Sequence, residues 1–353
     1  MSKLRAAIIG CGGISHCHMT GYLAMPDRVE VVACCDIDLP KAEAYAKNYG
    51  IKKVYEDYNE MMEKEDIDLV SVTTWNSAHK GATIAALKGG AHVICEKPMA
   101  MNAIEAQEML DTAKACGKVL QVGFVRRFGA DADAVLAFKK AGVIGDVYYA
   151  KATYLRKSGF PGGWFGDLAY SGGGPLIDLG VHVMDLVRYL SGLPKPIQAY
   201  GVTYKNLGNN RAAGGETAWS ATTSASKYKY DVEDFTSAMI RFDSGLTMLM
   251  EASFNLNIAR DTGNIELMGT KGGVNMSPFT IYTDMAGRFV DISPSSAPGF
   301  DFTRAFNDEM RGFVDAAEGK APCRAPGEDG VILMKMIDAI YESARTGKAV
   351  DIK

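Results

Sequence analysis

The 353-residue chain has no apolar run near the roughly 20 residues that a membrane span requires. It has no charge bias either. A formal net charge of −4 leaves no basic footprint for nucleic acid or an anionic membrane, so neither is expected as a partner. Cys-x-x-Cys is absent. The seven cysteines, Cys11, Cys17, Cys34, Cys35, Cys95, Cys116 and Cys323, are odd in number and mostly sit in apolar contexts. Reduced, buried thiols in a cytoplasmic enzyme are expected. Histidine is scarce, at five. His16 and His18 are two apart and point in divergent directions on a helix, so no metal site is expected. The N-terminus is basic and then apolar, but glycines interrupt the apolar stretch at once. It therefore reads as a first strand and not as a signal peptide.

With 47% hydrophobic and 23% charged residues the composition is that of a globular protein, and the length suits about two domains. The first third alternates short apolar runs with helical stretches. Strands are expected at 4–9, 29–36, 53–55, 68–73, 91–95 and 118–122, with helices between them. That alternation predicts a doubly wound parallel sheet. The first run ends in Gly10-Cys11-Gly12-Gly13-Ile14-Ser15 and opens a helix, and Asp36 closes the second run. Gly10 permits a tight turn, Gly12 lets backbone approach a pyrophosphate, and the helix N-terminus supplies N–H groups and positive dipole. Ser15 takes the third fingerprint position. Asp36 can bind ribose hydroxyls and would repel a 2′-phosphate, and Ile37-Asp38 supply no cation. NAD is therefore expected as cofactor ahead of NADP.

A second feature lies further on. In Gly172-Gly173-Gly174-Pro175-Leu176-Ile177-Asp178-Leu179-Gly180-Val181-His182, Asp178 and His182 stand four residues apart among apolar neighbours. On a helix they share a face. A carboxylate there can orient the imidazole and stabilise its charged form, which makes a general base. The same residues also suit the wet side of an ordinary amphipathic helix. The strand at 91–95 ends in Glu96-Lys97-Pro98, at the edge where open α/β sheets bind ligands.

Together these motifs resemble the Gfo/Idh/MocA family of oxidoreductases. The resemblance spans essentially the whole chain. It rests on Gly10 to Ile14 with His18, on Asn76 and His79, on Glu96-Lys97-Pro98, on Gln121 to Phe128, and on Gly172 to His182. It implies an N-terminal Rossmann domain, taken as 1–122. An α/β domain with a large, mostly antiparallel open sheet follows, taken as 123–353. It also implies a catalytic set of Lys97, Asp178 and His182, a cis Lys97–Pro98 bond, and cofactor contacts from Gly10, Gly12, Gly13, Ile14, Asp36, Thr74, Asn76, His79, Glu96 and Lys97. Trp75 departs from the proline that many members carry there.

From about 123 the pattern turns to strands, expected at 147–157, 197–206, 235–242, 246–254 and in four shorter runs up to 292. Asp243-Ser244-Gly245 offers hairpin turn chemistry. Helices are expected at 130–141, 302–318 and 327–345. Along 246–250 both strand faces carry apolar or weakly polar groups. One open face predicts a homodimer or homotetramer through this sheet, as similar members of the family form. Gly214 to Trp219 is compatible with an arm reaching a neighbouring subunit. Arg127, Tyr154 and Arg156 are candidates to bind substrate hydroxyls, and Trp164 is a candidate stacking surface. No cationic cluster marks an anionic substrate, so a neutral sugar or polyol is favoured. The expected reaction is hydride transfer between a hydroxyl-bearing carbon and NAD. His182 acts as base, Asp178 as its partner, and Lys97 on the reacting oxygen. Two alternatives are a redox-neutral glycoside hydrolase that uses NAD as a bound catalyst, and a non-catalytic sensor of NAD and sugar.

Overall fold

The computed structural model describes residues 3–208, 228–296 and 298–353. Chain contacts divide it into two compact units. One comprises 1–125 with 302–334, and the other 126–301 with 335–353.

The first unit alternates β1 (Leu4–Ile9), α1 (Ser15–Leu23), β2 (Val29–Cys35), α2 (Leu39–Tyr49), β3 (Lys53–Tyr55), α3 (Tyr58–Lys64), β4 (Leu69–Val72), α4 (His79–Lys88), β5 (His92–Cys95), α5 (Ala103–Cys116) and β6 (Leu120–Val122). The strands pair in parallel in the order β3-β2-β1-β4-β5-β6. The order reverses beside β1, where a doubly wound sheet opens its ligand crevice. Ala6 to Ile9, Leu69 to Val72 and Val93 to Cys95 are buried, as strands covered on both faces must be. Asp38, Asp57 and Asn102 cap α2, α3 and α5 through their side chains, satisfying N–H groups that a helix start leaves unpaired.

The second unit contains α6 (Ala130–Lys140), β7 (Val147–Leu155), α7 (Leu168–Ser171), α8 (Val181–Ser191), β8 (Pro196–Tyr204), β9 (Phe235–Phe242), β10 (Thr247–Ser253), β11 (Thr262–Gly269), β12 (Gly272–Met276), β13 (Phe279–Met285) and β14 (Arg288–Ile292). Helix α9 (Phe302–Ala317) returns to the first unit. Helix α10 (Gly327–Thr346) begins in the first and ends in the second, followed by β15 (Val350–Asp351). Among the described residues the second sheet runs β14-β13-β12-β11-β7-β10-β9-β8-β15. Its pairings are antiparallel apart from β7 with β10. One face buries Ala199, Ile240, Met248, Ala150 and Leu267, and α8 packs on β7, β10 and β11. The other face presents the cross-strand row Tyr200, Met239, Leu249 and Lys151. Tyr200, Met239 and Leu249 are each about two-fifths exposed, at 43%, 41% and 39%.

The expectation of a second domain running unbroken from 123 to 353 needs amendment. Helix α9 is strongly amphipathic, and its Met310, Phe313 and Val314 join the first unit's core with Met19 and Tyr22 of α1. Gly21 permits that approach, because a Cβ there would stand 2.5 Å from Met310 Cγ. The stretch 214–219, expected to reach a neighbouring subunit, lies outside the described residues. No helix among the described residues is long and apolar enough to cross a membrane.

Candidate functional site

In the first unit the glycine turn is held open by contacts that only glycine allows. Gly10 adopts a left-handed φ of 93°, and a Cβ there would stand 2.7 Å from the Thr73 carbonyl oxygen. At Gly12 the nearest neighbour of an added Cβ is Lys41 Nζ, 4.0 Å away, so space for a phosphate group is preserved. Ser15 is fully buried at the start of α1, with Oγ donating to Gly12 O at 2.5 Å. The first N–H groups of that helix, of Ser15, His16 and Cys17, bond back to the carbonyls of Gly12, Gly13 and Ile14, so the turn runs directly into the helix and sits at the positive end of its dipole. A dinucleotide fits this cradle: Gly10, Gly12, Gly13 and Ile14 would hold its pyrophosphate.

Asp36 follows β2 beside the turn and carries more than the sequence reading expected. Its Oδ2 accepts from Cys11 N–H at 2.8 Å and from Lys41 Nζ at 2.7 Å, and its Oδ1 accepts from Asp38 N–H at 3.0 Å. Ile37 and Asp38 supply no cation, but a residue further on does. Lys41, in the first turn of α2, supplies one through space. Oδ1 still has acceptor capacity for a hydroxyl.

The next two strand ends are tied together. His79 is buried, with Nδ1 2.7 Å from Pro98 O and Nε2 3.1 Å from Thr74 O. Burial pushes its pKa below the ordinary imidazole value, while the two carbonyls pull it back up. His79 thereby braces the loop of Thr74 and Asn76 against the loop of Lys97 from within, whereas a direct cofactor contact was expected. Glu96 is likewise occupied. Its Oε1 pairs with His18 Nε2 at 2.9 Å, and its Oε2 accepts the Lys97 N–H at 3.1 Å. His18 Nδ1 continues to Ser71 Oγ at 3.1 Å. The Lys97–Pro98 bond is cis, and Lys97 is partly exposed beside it. Below lies Glu309 of α9. It is fully buried, and neither carboxyl oxygen has a hydrogen-bond partner among the described residues. Burial, with Glu96 adding repulsion, holds its pKa well above the usual carboxylate range.

In the second unit Asp178 and His182 straddle a change of winding. Leu176–Gly180 is a π-helical turn, and the α-helix begins at Val181. A regular α-helix would have put the two residues on one face, one turn apart. Wide turns of this kind recur at functional sites because they re-aim side chains. Asp178 is buried and His182 partly exposed, with the Tyr154 ring 6.5 Å from the imidazole. Arg156 Nη1 donates to Gly159 O at 2.9 Å, and Nη2 lies 3.4 Å from Tyr154 Oη. Trp164 is partly exposed and stacks on Phe165, with centroids 3.9 Å apart. Arg127 differs from expectation. It is fully buried, and Nε and Nη2 bond both oxygens of Asp185 at 2.9 and 2.6 Å. A guanidinium so enclosed holds the fold together and is closed to a substrate hydroxyl.

A family model described as the oxidoreductase family with an NAD-binding Rossmann fold matches residues 4–124. The model of the GFO/IDH/MocA C-terminal domain matches residues 134–275. The chain belongs to the GFO/IDH/MocA family of oxidoreductases. This GFO/IDH/MocA chain is 35% identical to the D-glucoside 3-dehydrogenase of Escherichia coli over 99% of its length and 98% of the relative's. It is 29% identical to the 1,5-anhydro-D-fructose reductase of Ensifer adhaerens, covering 92% and 91%. A solved levoglucosan dehydrogenase in complex with NADH superposes with a TM-score of 0.84 at 25% identity, over the full length of both chains. The family assignment makes the chain an oxidoreductase that uses a nicotinamide dinucleotide.

Sequence reasoning did not single out Lys41, Glu233 or Tyr341. Asp38 as N-cap and Pro40 in the first turn were visible signals that α2 starts there. They imply that Lys41 faces back along the turn. Nothing local marks Glu233 or Tyr341, which meet over 108 residues of chain.

Proposed function

We propose that the protein oxidises a hydroxyl-bearing carbon of a neutral sugar, glycoside or polyol with NAD, with His182 as the base. The observation that carries this reading is the placement of Asp178 on a wide turn and of His182 at the start of the α-helix that follows, beside Tyr154, in a chain whose other unit offers a formed dinucleotide cradle. The relatives named for glucosides and levoglucosan support a sugar as substrate.

His182 takes the hydroxyl proton, and Asp178 orients its imidazole and stabilises the charge it gains. Lys97 donates a hydrogen bond to the reacting oxygen and stabilises developing negative charge there. Tyr154 and Arg156 hold further hydroxyls, and the Trp164–Phe165 stack offers an apolar plate to a sugar ring. Gly10, Gly12, Gly13, Ile14, Asp36, Thr74 and Asn76 hold the dinucleotide, with His79 and Glu96 bracing the loops from beneath. When bound, the nicotinamide supplies the hydride acceptor. NAD is favoured because Oδ1 of Asp36 keeps room for a ribose hydroxyl. The exposed row Tyr200, Met239 and Leu249 favours a homodimer or homotetramer through that face, and the cytoplasm is the proposed location.

The test incubates the purified chain with NAD and a panel of glycosides, aldoses and inositols while following NADH. Net NADH separates a dehydrogenase from a redox-neutral hydrolase. His182→Ala should cut turnover by about 10² or more and leave NAD affinity nearly unchanged. A double-mutant cycle with Lys97→Met should show strong coupling, since both act on one oxygen. Wild-type turnover in His182→Ala refutes the assignment.

A further inference from the structure

The turn that carries Asp178 is gripped from behind. Tyr341, near the end of α10, donates its hydroxyl to Glu233 Oε1 at 2.9 Å. Glu233 Oε1 also accepts the Leu176 N–H at 3.2 Å, and its Oε2 accepts the Gly174 N–H at 2.9 Å. The Gly174 carbonyl in turn accepts the Asp178 N–H at 3.1 Å. A single residue, Gly174, thus links the buried Glu233 carboxylate to the backbone of Asp178. The glycines before Pro175 fit this grip. A Cβ on Gly173 would overlap Tyr341 Oη, and one on Gly174 would overlap the Glu233 carbonyl oxygen and stand 3.0 Å from the carboxyl group.

This arrangement is expensive for a device that only starts a helix. Glu233 is 8% exposed, and burying a carboxylate carries a desolvation penalty that its donors must offset. Burial pushes its pKa up, while its own N–H, those of Gly174 and Leu176, and the phenol pull it back only in part. A serine or asparagine cap would satisfy the same N–H groups without a buried charge. What the carboxylate adds is stiffness. Its oxygens hold the N–H groups of Gly174 and Leu176 while Tyr341 holds the carboxyl group, and the π turn follows without a break.

We infer that Glu233, locked by Tyr341, is a positioning residue that fixes the Asp178 turn and so aligns the Asp178–His182 couple for proton transfer. The inference rests on the proposed role of His182 as base. Neither Glu233 nor Tyr341 touches substrate in it. Both act through the Gly174–Asp178 backbone.

The full chain is tested as Glu233→Gln and Tyr341→Phe beside His182→Ala. Glutamine keeps the shape but turns an N–H₂ toward a donor. Its kcat should fall about tenfold while the NAD dissociation constant and KM for NAD change less than about twofold. Tyr341→Phe should lose about threefold in kcat on the same pattern. In both, the solvent deuterium isotope effect on kcat should rise, because a misaligned base makes proton transfer more limiting. Thermal melting checks that each variant folds. A folded Glu233→Gln with wild-type kcat and isotope effect overturns the inference. So does a joint loss of kcat and NAD affinity, which marks a merely structural role. If Glu233→Gln does not fold, Tyr341→Phe decides by the same two readouts. A fully active His182→Ala would instead remove the proposed base, whereas an inactive one beside unaffected clamp variants defeats the positioning role alone.

Discussion

In the second unit Arg127 gives its guanidinium to both oxygens of the buried Asp185. In the first, Glu309 is just as deeply buried, yet neither oxygen meets a donor among the described residues. The contrast shows two ways of keeping an acid in a low-dielectric interior. A carboxylate can stay ionised if directed donors surround it, or it can keep its proton and become a neutral group. The first solution makes each partner indispensable. The second makes the charge a burden whenever it forms.

The sharpest way to break this contrast is to remove one side of the enclosed pair. Arg127→Met leaves Asp185 buried without its cation and should cost about 3–5 kcal/mol of stability, read from denaturant unfolding. Adding Asp185→Leu should recover most of that loss, because two matched apolar groups strand no charge. A double variant no better than the single one would show that the pair does more than neutralise itself.

Next in size is Gly10→Ala. The left-handed φ and the Thr73 carbonyl both oppose a Cβ, so the turn must move. NAD binding should weaken at least tenfold by calorimetry, on the scale of one strained backbone position. Unaltered affinity would mean that the turn does not hold the dinucleotide.

Glu309→Gln probes the other solution, and the sign follows from the raised pKa. A carboxyl whose folded value lies above its unfolded value contributes stability that is complete in acid. That contribution is lost as pH rises through the folded value. The variant should therefore melt close to the wild type in weak acid and increasingly above it toward alkaline pH. A gap that does not grow with pH would show that Glu309 ionises in the folded chain as readily as in the unfolded one.

The smallest effect is expected from Lys41→Ala. Removing the ammonium beside Asp36 exposes the carboxylate to any 2′-phosphate, so NADP affinity should fall several-fold while NAD affinity changes little. Equal shifts for the two dinucleotides would place Lys41 outside the ribose site.

Much of the first unit was legible in the residues. Short apolar runs alternating with helices mark a doubly wound parallel sheet, and the runs at 4–9 and 29–36 end at the glycine turn and at Asp36. The strands of the second unit were also readable, since Phe235–Phe242 and its hairpin partner alternate at period two around Asp243-Ser244-Gly245. What stayed hidden depends on partners distant in sequence or on winding. Residue identities in 176–180 are compatible with either 3.6 residues per turn or the wider π form, so the turn under Asp178 carried no local mark. Arg127 read as a substrate contact because it falls within the segment, Gln121 to Phe128, that resembles the family, and only packing shows Asp185 enclosing it. Helix α9 carries an apolar stripe of Phe306, Met310 and Phe313 that demands a surface, but the stripe does not say which one.

That last helix has a consequence for synthesis. The nucleotide-binding core cannot close until Met310, Phe313 and Val314 leave the ribosome, some 190 residues after Val125. At usual elongation rates this is a delay on the order of ten seconds or more, during which one side of α1 has no cover. Trimming the chain at residue 125 to isolate the dinucleotide half would leave that side bare for good, so fragment expression should yield aggregates and not a miniature enzyme.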